Sequence, residues 1–178
     1  MIAKKSRLSL KFPLREIQSR AAAYSFAQSD RELVKMIERI RETQKLSKAD
    51  LQTVCLWKST RSAGHAAKND VGYVEEITHF ALSTSAERAR IESLTLLDGV
   101  MWPTASVILH WFHRERYPIL DFRALWSVGC EVPKPYTFDF WWRYVVFCRR
   151  TAKQAKVDMR TLDRALWQFS DDNQVPGN

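Results

Sequence analysis

Glycine and proline are scarce in this chain, five and six in 178 residues, and folds built from many short strands and tight turns need more of both. Cysteine is scarcer still. Cys55, Cys130 and Cys148 are scattered and odd in number, which excludes a disulfide framework and a CxxC metal knuckle. Three thiolates are also one short of the four that a [4Fe–4S] cluster takes, so no iron–sulfur cluster is expected. No apolar run reaches the ~18 residues that a membrane-spanning helix requires, and no charged-then-apolar leader opens the chain. The expectation is a soluble, cytoplasmic protein with no membrane partner.

What the chain does have is aromatic mass and positive charge. Seven Trp, nine Phe and five Tyr within 46% hydrophobic residues suffice for a sizeable core in one domain of 1–178. The net charge of +8 is unevenly placed. Residues 1–68 carry 15 Lys and Arg against 6 Asp and Glu, a net of +9, while 69–178 carry 13 against 14, a net of −1. A basic N-terminal portion suits a polyanion, whose counterions are released on binding.

The apolar spacing is helical throughout. Leu33, Met36, Ile37 and Ile40 fall at i, i+3, i+4 and i+7 after Asp30. Ser47 and Asp50 form a capping-box pair before Leu51, Val54 and Cys55. A polar stretch at 64–70 reads as a break before Val71–Leu82. Thr84-Ser85-Ala86-Glu87 has the standard capping-box pattern for a helix running to about Leu97. Thr137 opens a long aromatic helix, and Asp158 caps the last one. SLSLKF is the only weak strand candidate. The fold class is therefore all-α, with about eight or nine helices, a loosely ordered basic segment over 1–13 and a frayed tail over 170–178.

The richest segment is LDGVMWPTASVILHWFHRERYPILDFRALW, Leu97 to Trp126. Gly99 permits a backbone conformation closed to residues with a Cβ, and a helix then starts near Pro103-Thr104. The first-turn N–H groups of such a helix have no intrahelical partners and can hold a phosphate oxygen. Thr104 and Ser106 add hydroxyls, with Met101 and Trp102 flanking them. Asp121 then stands at the start of the next helix, where a carboxylate caps well.

The pattern GVMWPTASVIL…YPILD resembles that of the helix-hairpin-helix base-excision DNA glycosylases, in their mismatch-adenine and endonuclease III-like branch. The resemblance is carried by residues about 94–128 and implies a helical glycosylase-like fold that binds double-stranded DNA. It implies that Gly99, Met101, Trp102, Thr104 and Ser106 grip the backbone, and that Asp121 is the catalytic carboxylate acting on a flipped-out nucleotide. A monovalent cation on the hairpin carbonyls is a further implication. Two departures stand out. Met101 replaces the hairpin's second glycine, and Pro103 occupies the register of the lysine nucleophile of bifunctional relatives. Schiff-base lyase chemistry from that position is thereby excluded, and hydrolysis by a monofunctional enzyme is implied. The alternative is a module that kept the hairpin and lost catalysis, and a third class is a helical protein-interaction domain.

Around this core, Lys58 and Arg61 are candidate phosphate contacts. Trp57, Tyr117, Arg123 and Trp126 are candidates for lining a base pocket, with core packing as the competing reading. His110 and His113, at i and i+3, lack a third metal ligand in the sequence, so no metal site is assigned. A monomer is expected. The cations Arg149, Arg150, Lys153 and Lys156 are explained by the dipole of the aromatic helix that they end.

Overall fold

The computed structural model describes residues 8–25 and 27–174. Every regular element among them is helical. The α-helices are α1 (Ile17–Ala22), α2 (Arg31–Thr43), α3 (Lys48–Lys58), α4 (Thr60–Ala66), α5 (Val71–Ser83), α6 (Glu87–Leu94), α7 (Trp102–Phe112), α8 (Phe122–Ser127), α9 (Phe138–Ala155) and α10 (Met159–Asn173), with 3-10 turns at Leu14–Glu16 and Ala27–Asp30. None of the described helices is long and apolar enough to cross a membrane. The chain forms two compact units, one of residues 26–117 and one of residues up to 25 together with 118 onward.

In the unit of 26–117, α2 buries Leu33, Met36 and Ile40, the stripe that its spacing dictates. It stops where Gln44 turns left-handed at φ 52°. The capping box of α3 forms in full: Asp50 N–H donates to Ser47 Oγ at 3.2 Å and Ser47 N–H to Asp50 Oδ2 at 2.8 Å. The apolar helix α7 is the centre of this unit. It buries eight of its eleven residues and packs against α2, α3 and α6.

Two expectations fail here. The polar break read at 64–70 starts inside a further helix, α4, and is non-helical only over 67–70, so the number of α-helices among the described residues rises to ten. Its sequence, TRSAGHA, is a poor helix former, but α4 packs on α3 and buries Ala66, so tertiary packing overrides propensity. The capping box at Thr84–Glu87 does not form. Ala86 occupies the N-cap, Thr84 Oγ1 accepts from Ala86 N–H at 3.2 Å, and α6 ends at Leu94 rather than Leu97. Glu87 is engaged elsewhere: it accepts from the Tyr117 hydroxyl at 2.7 Å and lies 3.4 Å from the buried Arg90 guanidinium.

In the other unit, α1, α8 and α9 pack on α10. The expected loose N-terminal segment is ordered from residue 8. Ser9 N–H donates to Val128 O at 3.1 Å and Lys11 N–H to Ser127 O at 3.0 Å, while Leu8 and Phe12 are buried. Residues 1–7 of that expectation lie outside the described residues. At the other end α10 runs to Asn173, and Ser170 is fully buried, so the chain does not fray at 170. Residues 175–178 lie outside the described residues. The aromatic run of α9 is core on one side only. Trp141, Tyr144, Val145 and Phe147 are buried, whereas Val146 is 48% exposed.

Candidate functional site

The hairpin begins where the chain leaves α6. Gly99 sits at φ +83°, in the left-handed region, as its residue type suggests. A second constraint is steric. A Cβ at Gly99 would stand 2.7 Å from Ser62 O and 2.8 Å from Ala66 N, so this glycine presses on the backbone of α4. Three neighbours hold the turn. Asn69, almost fully buried, accepts from Asp98 N–H at 2.8 Å and donates through Nδ2 to the carbonyls of Asp98 (2.9 Å) and Ala66 (3.0 Å). The Cys55 thiol donates to Gly99 O at 3.8 Å, and Val100 N–H closes the turn on Leu97 O at 3.0 Å.

Gly99 is therefore a packing and turn residue, and the N-terminus of α7 is what the turn presents. Met101 occupies the N-cap in extended conformation, no side chain caps the helix, and Pro103 lies in its first turn. Met101 is 68% exposed and Trp102 is half-buried. Met101 adopts φ −96°, so its replacement of a glycine introduces no left-handed strain. The hydroxyls expected to face DNA turn inward. Ser106 is fully buried and donates to Pro103 O at 2.6 Å, and Thr104 is buried as well. Main-chain N–H groups, not those hydroxyls, are what this end offers to a ligand.

The carbonyls to which the resemblance assigns a cation already accept hydrogen bonds. Leu97 O, Asp98 O and Gly99 O take those just described, and Met101 O takes one from Ala105 N–H at 2.9 Å. Each retains its second lone pair. Among the described residues no group of three or more His, Cys, Asp or Glu side chains is placed to hold a metal ion. His110 Nδ1 donates to Tyr117 O at 2.7 Å, and His113 Nε2 accepts from Arg90 at 2.7 Å.

The remaining candidates of the same unit separate into two groups. Arg61 is exposed on α4, the helix against which Gly99 presses, and Lys58 is half-buried at the end of α3. Trp57 meets Trp111 of α7 edge-on at 6.3 Å, a packing role. Tyr117 is fully buried with its hydroxyl on Glu87, so it packs inside the unit and does not line an open pocket.

Asp121 belongs to the other unit. It is half-buried and caps α8, accepting from Arg123 N–H at 2.9 Å through Oδ1. The Arg123 guanidinium pairs with Asp171 at 3.2 Å and lies over the Trp167 ring at 4.9 Å. Trp126 is half-buried, with Lys11 Nζ 3.4 Å from its ring centroid. Tyr136 joins this neighbourhood unannounced by the sequence. Burial, and then the Asp121 carboxylate and Cys130, push its phenol above the ordinary value.

Sequence reasoning missed Asn69 and the Cys55 contact, because side chains that pin a distant turn follow no periodicity. Gly99 alone announced the turn. Comparison of the chain with family models, with curated proteins and with solved structures finds no match.

Proposed function

We propose that this chain is a helix-hairpin-helix DNA glycosylase-like protein that hydrolyses the N-glycosidic bond of a damaged or mispaired base. The observation that carries the reading is the hairpin: a glycine at φ +83° against α4, pinned by Asn69, leading into an α7 N-terminus that no side chain caps. Phosphate oxygens are well matched by such N–H groups and by the positive end of the helix dipole. Arg61 and Lys58 supply cationic contacts in the same unit.

The chemistry falls to Asp121. The base leaves with the electron pair of the glycosidic bond and is protonated, and water adds to the anomeric carbon. A carboxylate beside that carbon stabilises the oxocarbenium character of the transition state and orients the water. The target nucleotide has to leave the stack first, since the bond is not reachable within the duplex.

A second reading, a DNA-binding module without turnover, is favoured by one observation: Asp121 already accepts the cap hydrogen bond from Arg123 N–H. One experiment separates the two. Duplexes carrying oxidised, alkylated, deaminated or mismatched bases are incubated with the protein and with Asp121→Asn, and alkali-labile abasic sites are scored. Asparagine caps a helix about as well as aspartate, so the variant removes charge and keeps the fold. The enzyme produces abasic sites that the variant does not. Salt-sensitive binding with no abasic product on any duplex overturns catalysis.

A further inference from the structure

The outer face of α9 differs from the other charged helix surfaces of the protein. On α1, α2, α6 and α10 cations alternate with acids, in the pairs Arg20–Glu16, Lys35–Glu32, Arg88–Glu92 and Arg160–Asp163. Between Asp139 and Asp158 the chain has no acidic residue and five cations: Arg143, Arg149, Arg150, Lys153 and Lys156. The helix dipole accounts for cations in the last turn and no further. It therefore covers Lys153 and Lys156 but not Arg143, and, contrary to the expectation from sequence, not Arg149 or Arg150, which stand more than a turn before the end of α9 at Ala155. Arg149 and Lys153, at i and i+4, repel one another along the helix.

Aromatic rings brace part of this charge. The Arg149 guanidinium lies 5.5 Å from the Trp142 ring and that of Arg143 lies 5.6 Å from Phe140, while Trp142 stacks on Phe138 at 6.2 Å and 13°. Guanidinium groups held against rings lose less freedom when they take a phosphate. From Arg143 to Lys156 the face runs ~20 Å at ~1.5 Å per residue. That length matches about six base pairs of duplex at ~3.4 Å each. Trp141, Tyr144, Val145 and Phe147 of α9 are buried in the protein core, so the outer face offers mainly charge, and Val146, its one exposed large apolar side chain, is too small a surface to insert into a bilayer.

We infer that the outer face of α9 is a second contact for the DNA phosphate backbone, separate from the hairpin. The inference rests on the reading of the protein as DNA-binding. Its test is fluorescence anisotropy of a labelled duplex titrated with the full-length protein across a range of KCl concentrations. Arg150→Gln/Lys153→Gln/Lys156→Gln neutralises three exposed side chains, and Met101→Glu sets a carboxylate at the exposed hairpin tip. Circular dichroism melting verifies that both variants are folded.

The triple variant is expected to bind at least tenfold more weakly and to flatten the slope of log K against log salt by about 2–3, at ~0.9 for each phosphate that is no longer neutralised. Met101→Glu is expected to weaken binding while a salt slope from α9 persists. A triple variant with native affinity and slope, beside a weakened Met101→Glu, overturns the α9 contact and leaves the DNA reading standing. Absence of duplex binding by the native protein overturns both. Binding to phosphatidylserine vesicles that the triple variant abolishes, with duplex binding unchanged, assigns the face to membranes and overturns the inference.

Discussion

Replacing Gly99 by alanine tests the hairpin where its geometry is most demanding. The added methyl group would stand 2.7 Å from Ser62 O and 2.8 Å from Ala66 N, and both are main-chain atoms of α4. Neither can swing aside as a side-chain terminus would, so either the hairpin lifts off α4 or α4 distorts. The left-handed backbone at φ +83° adds about 1–2 kcal/mol for a residue with a Cβ. Overpacking typically adds about 1–3 kcal/mol, so the expected destabilisation is roughly 2–5 kcal/mol. For a chain of this size that corresponds to a fall in Tm on the order of 10 °C. Gly64→Ala is the matched control, because a Cβ there meets nothing within 4 Å and the residue lies inside α4. It should stabilise by about 0.5–1 kcal/mol. Thermal and urea melts of the two variants read the difference directly. A Gly99→Ala protein that melts with the native one, or moves upward with Gly64→Ala, refutes both the close approach to α4 and the strained turn.

Asn69→Ala removes three hydrogen bonds at a nearly buried side chain and takes from the Asp98 N–H and carbonyl the partners that Asn69 gives them, while Ala66 O keeps the Asn69 main-chain N–H at 3.4 Å, a loss of about 2–3 kcal/mol in urea unfolding; a loss under ~0.5 kcal/mol sinks the pinning role. Burial alone would raise the Asp50 carboxyl, but the hydrogen bonds from Arg39 and Ser47 outweigh it and hold the group below its ordinary value. A carboxylate lowered in this way contributes stability in full above its unfolded pKa of ~3.9 and loses it as the pH falls through the folded value. The gap in unfolding free energy between native protein and Asp50→Asn is therefore expected to be flat from pH 7 to 5 and to close in acid; a gap that widens in acid contradicts the assignment. Burial pushes the Cys55 thiol up to about 11, so at pH 8 it is expected to react with an aromatic disulfide reagent only after unfolding. Rapid native-state labelling of Cys55, located by peptide mapping, would contradict its contact with Gly99.

The elements legible in the sequence are those whose signals are local. The α2 stripe, the Ser47–Asp50 box and the caps at Asp121, Thr137 and Asp158 each need only residues within a turn or two, and each is in place. The failures share one physical origin, which is competition from distant partners. Thr84 and Glu87 carry a capping-box pattern, yet Glu87 takes the Tyr117 hydroxyl and the Arg90 guanidinium instead. The break read at 64–70 takes in the end of TRSAGHA, a poor helix former, yet residues 60–66 are a helix packed on α3 with Gly99 pressed against its backbone. Ser106 reads as an exposed hydroxyl beside the phosphate site, but its position on the inner face of α7 buries it.

The same distinction governs the candidate site. Gly99 and Asp121 lie close in sequence, but the boundary between the two compact units falls after Tyr117, so different neighbours hold each of them. The hairpin takes its shape from Asn69, Cys55 and α4, and Asp121 takes its orientation from the cap of α8. Lesions in the two places therefore separate by readout. On the proposed reading, a loosened hairpin is expected to weaken the hold on the backbone for every duplex, damaged or intact, because phosphate contacts carry no sequence information. On the proposed glycosylase reading, loss of the Asp121 charge is expected to leave that hold intact and to remove turnover alone. Asn69→Ala and Asp121→Asn consequently make a pair whose effects on affinity and on turnover are expected to be independent.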